Sequence, residues 1–210
     1  MITATAGFRH GSIDTAREVM GDLGPVGGFT VTATEDVSSI SAESLTSYDI
    51  VCFAMTTGEL PFSAEQKTAL MDFVSRGGGF IGVHSATDTF YNWPEYGKLI
   101  GAYFQAHPWT TTATVVVEDP SHPTTAGLGP SFAIREEFYT FRENPRPAVS
   151  VLLRLDAASV NASGDYPLAW ADTYGSGRVY YNALGHFPET WRDPRFQQQM
   201  TAAVRWAGRK

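Results

Sequence analysis

The order of apolar runs predicts an α/β protein: a mostly parallel sheet with helices on both faces and an antiparallel hairpin at its edge. Three observations carry this. Short apolar runs at 48–54 and 80–83 alternate with segments of helical periodicity, the order that threads parallel strands through crossover helices. Glycines close those helices, at Gly24-Pro25 and at Gly77-Gly78-Gly79. Late in the chain, strand-like runs at 167–172 and 178–184 flank Tyr174-Gly175-Ser176-Gly177, a hairpin signature.

In order, 2–6 is a short, weak strand and 7–11 a loop. Ser12 then caps a helix with Ile13, Ala16, Met20 and Leu23 on one face, stopped at Gly24-Pro25. A second strand is expected over 28–34 and a single helical turn at 41–45. The run 48–54 reads as a strand buried on both faces, with Cys52 in its middle as a small, inert core residue. Ser63 and Gln66 form a capping box that opens a helix burying Leu70, Phe73 and Val74 and ending at Gly77. The strand 80–83 follows; Gly82 within it leaves room for a backbone or a ligand to approach. Four aromatics crowd 89–96, and Pro94 starts a short helix through Ile100. Strands are expected at 112–118 and 149–155, with a turn at 119–123, and the segment 132–141 sets Glu136, Glu137 and Tyr139 among apolar residues. Asp193 and Pro194 open the last helix, with an apolar stripe of Phe196, Met200, Ala203, Val204 and Ala207 ending at Gly208.

Composition narrows the function. The chain has 210 residues, 43% hydrophobic and 18% charged, so one domain over 1–210 with a sizeable core is expected. A net charge of −7 argues against nucleic-acid and anionic-membrane partners. The single cysteine excludes an intrachain disulfide and fits a reducing compartment or a secreted enzyme without disulfides. No signal peptide is visible and no apolar run reaches the ~20 residues of a membrane span, so a cytoplasmic location is expected.

All five histidines stand in breaks between elements. His10 precedes Gly11, His84 ends the strand 80–83, His107 and His122 precede prolines, and His186 follows Gly185. His10, His84 and His186 each follow a strand; if those strands are parallel, the three reach one edge, where α/β sheets bind ligands. Glu136-Glu137, set among Phe138, Tyr139 and Phe141, is the carboxylate source, with one of the pair pointing inward. Two chemistries suit the set: a divalent ion such as zinc, or general acid–base catalysis without a metal. The spacings match no compact metal signature. Trp93, Tyr91 and Trp109 offer faces for a sugar ring, with core packing as the equal alternative.

Several spaced motifs together resemble ThuA-like (trehalose utilisation) domains. They are Gly7-Phe8-Arg9-His10-x-Ser12-Ile13, Gly77-Gly78-Gly79-Phe80-x-Gly82-x-His84-x-Ala86-Thr87-Asp88, Trp93-Pro94-x-Tyr96 and Gly101-x-x-Phe104-x-x-His107-Pro108. Later in the chain come His122-Pro123, Glu137-x-Tyr139-x-Phe141-Arg142, Pro167-x-Ala169-Trp170 and Gly177-Arg178-Val179-x-Tyr181-x-x-Leu184-Gly185-His186. The family usually carries an acidic residue where this chain has Ser121, and Asp-Glu where it has Glu136-Glu137. The resemblance implies a flavodoxin-like three-layer sandwich of the class I glutamine amidotransferase type and a role in sugar metabolism. Amidotransferases place a cysteine on a strand-to-helix elbow; here His84 holds that place, so amidotransferase chemistry is not expected.

The resulting reading is an enzyme acting on a sugar, keto-sugar or glycoside. His84, Glu137, His10 and His186 are its catalytic residues and its candidate metal ligands. Asp88, Trp93, His107, Tyr139 and Arg9 line the substrate. The alternative is a non-catalytic sugar-binding or interaction module. The expected partner is a small sugar, and a homo-oligomer is left open. Because His84 stands at a strand end, its replacement is expected to change stability by no more than roughly 1 kcal/mol.

Overall fold

The structure, a computed structural model, describes residues 1–209. Its strands are β1 (Ile50–Ala54), β2 (Gly79–Val83), β3 (Phe104–Val117), β4 (Ser131–Phe141), β5 (Ser150–Leu155), β6 (Pro167–Tyr174) and β7 (Gly177–Asn182). Its helices are α1 (Ile13–Gly27), α2 (Ala64–Ser75), α3 (Pro94–Ile100), α4 (Pro188–Arg192) and α5 (Pro194–Ala207). The strands form one mixed sheet in the order β1-β2-β7-β6-β5-β3-β4. β1, β2 and β7 run parallel, whereas the other four pairings are antiparallel. The expectation of a mostly parallel sheet is thereby corrected. Parallel neighbours need a crossover of a dozen or more residues, usually a helix, and between β3 and β7 the chain returns through turns and one short 3-10 segment at Ala157–Val160.

The strands expected at 2–6 and 28–34 are not regular either. Ile2 bridges Thr34 and Phe53 and Thr5 bridges Thr57, each in parallel sense. The Ile2 N–H donates to the Cys52 carbonyl at 2.7 Å and the Ala54 N–H to the Ile2 carbonyl at 3.0 Å. These segments thus flank β1 through single bridges. α1 runs past Gly24-Pro25 and ends at Gly28, whose φ of 76° supplies the left-handed cap. Ser12 does not cap it by side chain; its hydroxyl donates to the Gly185 carbonyl at 3.0 Å, tying the start of α1 to the loop after β7. The capping box of Ser63 and Gln66 is present as expected. β3 begins eight residues before the expected 112, passing through Pro108 beside register shifts between Phe104, Ala106 and Trp109. A proline is tolerated in a strand at such a bulge.

Around the parallel strands the arrangement has three layers. α1 and α5 cover one face; a Cβ built on Gly79 of β2 would stand 2.8 Å from the Ala207 carbonyl oxygen of α5. α2 and α3 cover the other, where Phe80 meets Tyr96 of α3, and Lys67 of α2 lies over the rings of Phe90 and Trp93. Gly82 makes room for Ile100 of α3 and for Tyr181, not for a ligand. Gly79→Ala is expected to force α5 outward and cost about 1–3 kcal/mol. A lower urea midpoint at unchanged m would show it; an unchanged midpoint would mean that α5 gives way freely.

Cys52 is buried in β1. Burial pushes its thiol up to about 11, above the roughly 8.5 of an unfolded cysteine. The thiol is neutral in both states below the unfolded value, so its contribution is fully present there. Stability is expected to fall by about 1.4 kcal/mol per pH unit from about pH 9 towards pH 11, as the unfolded thiol alone ionises. Denaturation curves across that window for the native chain and Cys52→Ala test this; the same slope in both would refute it.

Candidate functional site

The carboxyl ends of β2 and β7 bring His84 and His186 to one edge of the sheet, and the loop before α1 adds His10. Glu137 arrives from β4, the outermost strand of the far half. β4 contacts the loop after β7 although three strands separate them in pairing order, so the sheet curls back on itself. One nitrogen from each of the three histidines and one carboxylate oxygen of Glu137 all lie within 4.8 Å of one another.

The His84 ring is fixed at both nitrogens. Its Nδ1 lies 2.7 Å from the Ala183 carbonyl, which can only accept, so Nδ1 carries a proton. In the neutral ring Nε2 is therefore the lone-pair nitrogen, and the Tyr139 hydroxyl donates to it at 2.9 Å. Around that nitrogen stand His186 Nδ1 at 3.3 Å and Glu137 Oε2 at 3.6 Å; His186 Nδ1 and Glu137 Oε2 are 3.1 Å apart. His10 packs edge-on to both His84 and His186, and its Nδ1 faces the Ser85 hydroxyl at 3.4 Å. His84 has a φ of 52°, the left-handed region, in the elbow between β2 and the 3-10 turn His84–Asp88. The Tyr181 hydroxyl holds its carbonyl at 2.7 Å.

Adjacent side chains on a strand leave on opposite faces, which gives Glu136 and Glu137 separate tasks. Glu137 faces the histidines. Glu136, fully buried, accepts from the N–H groups of Gly185 (2.9 Å) and His186 (3.1 Å), from the Thr190 hydroxyl (2.7 Å) and from the Glu137 N–H (2.9 Å). It clamps the loop that carries His186.

Burial, then the charges of His84 and His186, push His10 down to about 3, so its ring is neutral at neutral pH. Burial alone would raise the Glu137 carboxyl. The adjoining His186 and His84 imidazoles, at 3.1 and 3.6 Å, outweigh it and hold Glu137 well below the usual carboxylate range. Burial raises Asp88 despite the hydrogen bond from Tyr91.

Of the expected substrate-lining residues, Tyr139 and His107 join the cluster; His107, half exposed, places Nδ1 3.3 Å from Glu137 Oε1. Asp88 lies beside it, accepting from the Tyr91 hydroxyl at 2.6 Å. Trp93 and Arg9 do not join. Trp93 is buried against Phe90 and Tyr96 in the aromatic core, and Arg9 makes a two-pronged ion pair with Glu35. Trp109 packs on Tyr166, and the Arg142 guanidinium covers Tyr91. His122 sits apart, against Trp206. Ser85 and the Ala183 carbonyl left no signal in the sequence. Glu136 was named there only as half of the acidic pair with Glu137, and its clamping role was not foreseen.

A family profile described as ThuA, trehalose utilisation, matches residues 1–207. The chain belongs to the ThuA family. A solved structure described as a ThuA-like protein, from Bacteroides uniformis ATCC 8492, is 27% identical; the match covers 92% of this chain and 83% of that one, with a TM-score of 0.80. Another so described, from Parabacteroides merdae ATCC 43184, is 19% identical over 98% of this chain and 88% of that one, also at 0.80, and shows the shared fold. The fold recurs inside a larger protein, the β-galactosidase from Bacillus circulans sp. alkalophilus. That match has 14% identity and a TM-score of 0.61, over 93% of this chain and 26% of that one. No curated protein sequence matches. Three ThuA motifs noted above, at 7–13, 77–88 and 177–186, each contribute one histidine to the cluster. Among the described residues no helix is long and apolar enough to cross a membrane.

Proposed function

We propose that this ThuA protein is an enzyme acting on a sugar, keto-sugar or glycoside at a divalent cation held by His10, His84, His186 and Glu137. The observation that carries this is the convergence of four donor atoms within 4.8 Å from four separate elements. The separations among His84, His186 and Glu137, 3.1, 3.3 and 3.6 Å, lie close to the about 3.3–3.6 Å between tetrahedral donors standing about 2.0–2.2 Å from zinc, and His10 would close in from within 4.8 Å as the fourth. The proton on His84 Nδ1 supports the same reading, because a ligating imidazole is commonly oriented by such a bond from its other nitrogen. Zinc in this place would polarise a substrate oxygen or acidify a bound water. The chain supplies the rest. His107 stands against Glu137 at the open side; Tyr139 offers a hydroxyl donor, and Asp88 with Tyr91 offers partners for sugar hydroxyls.

The elbow carries His84, and the one cysteine lies buried in β1, so thiol catalysis of the amidotransferase type has no nucleophile here. A cytoplasmic location fits that free thiol. The test is elemental analysis after dialysis against zinc, with turnover assays on trehalose, glucosides and keto-sugars. About one zinc per chain is expected, lost in the pair His186→Ala and Glu137→Gln. A chain that takes up no zinc would overturn the metal reading, and sugar binding with no turnover across the panel would mark a binding module.

A further inference from the structure

Three large hydrophobic residues are exposed among the described residues, Phe8, Val26 and Tyr48. Of these, Phe8 touches the histidine cluster: its ring lies 4.9 Å from that of His10, at 82°. Phe8 is 66% exposed, yet its backbone is held on both sides. The Thr57 hydroxyl, buried just beyond β1, donates to the Phe8 carbonyl at 2.9 Å and accepts from the Gly7 N–H at 3.2 Å. On the other side Arg9 is fastened to Glu35 by two bonds of 2.8 and 2.9 Å. A phenyl ring left in water by a pinned loop, in contact with a candidate ligand, calls for an explanation that an isolated surface hydrophobic does not. Phe187 flanks His186 in the same way, 4.6 Å away, but the Arg135 guanidinium covers it at 4.0 Å. Phe8 is the aromatic whose surface remains available at this side of the site.

We propose that Phe8 is the stacking platform of the sugar subsite: it takes the C–H face of a pyranose ring, whose hydroxyls then point towards His10, His186 and the Glu137 edge. This deepens the carbohydrate reading and rests on it. It moves the stacking role from Trp93, Tyr91 and Trp109, whose rings are buried or covered, to a residue that is bare and pre-positioned. A phenyl side chain on a fastened backbone has only two torsions to fix when a ligand covers it, so its area counts towards affinity.

The test uses the zinc-loaded full chain with trehalose and methyl α-D-glucopyranoside as probes, by calorimetry and saturation-transfer NMR. Phe8→Ala is expected to weaken trehalose binding about 10-fold or more, with zinc content and melting temperature unchanged. Phe8→Trp is expected to keep the binding, and its emission to shift to the blue as the sugar is added. If the native chain binds trehalose and Phe8→Ala binds it equally well, the platform assignment falls while the carbohydrate reading stands. If the native chain binds neither sugar, the carbohydrate reading falls and the platform with it.

Discussion

Replacing His84 by alanine is expected to cost about 2–6 kcal/mol of stability and to lower zinc affinity by about 10–100-fold. The first figure corrects the small change expected from its place at a strand end. His84 is wholly buried, and its removal strands the Ala183 carbonyl and the Tyr139 hydroxyl, each at about 1–3 kcal/mol. Its left-handed backbone provides an internal control. Alanine at a φ of 52° keeps the strain, whereas glycine relieves it, so His84→Gly should be more stable than His84→Ala by about 1 kcal/mol. Chemical denaturation of the two variants, with zinc titration of each, reads both effects. Native-like stability in His84→Ala would mean that the two stranded groups find other partners. Native-like zinc affinity would remove His84 from the ligand set.

Glu136→Ala is expected to be comparably damaging, by about 3–5 kcal/mol, because four donors lose one buried acceptor group together. Glu136→Gln is the sharper experiment. One carboxylate oxygen accepts from the Glu137 and His186 N–H groups, the other from Gly185 and Thr190. An amide keeps one oxygen and turns an NH2 towards two donors, so about half of the loss is expected. The same change should weaken zinc binding, since Glu136 holds the backbone of His186 without being a donor in the cluster. Full zinc affinity in a destabilised Glu136→Gln would separate the clamp from the site and refute that coupling.

Elements whose pattern is local were legible in the sequence. β1 and β2 are unbroken apolar runs, α2 announces itself by its capping box, and α5 by Asp193-Pro194 with an apolar stripe. The three histidines at one edge were legible for the same reason, each following a strand or bridge segment directly. What depended on distant partners was not. An apolar run does not say whether its neighbour runs parallel, and β5, β6 and β3 find theirs without helices between. The start of β3 was hidden by His107-Pro108, which fit a strand only because β4 allows a bulge there. The burial of His84 is set by Tyr139, 55 residues away in sequence. The exposure of Phe8 follows from how the loop 7–11 is pinned, which its apolar side chain alone would not suggest.

The wide spacing of the four donors, at positions 10, 84, 137 and 186, has a consequence for folding. No short segment of the chain contains two of them, and the carboxylate rides on the outermost strand, so the site exists only after every long-range pairing has closed. A cation bound there would staple the start of the chain to its end, as a covalent crosslink does. Its binding energy would be shared by the whole fold and not by one loop: about 4 kcal/mol at a thousand times the dissociation constant. Removing the cation should then lower one cooperative melting transition as a unit, β4 and α1 together, without releasing either alone.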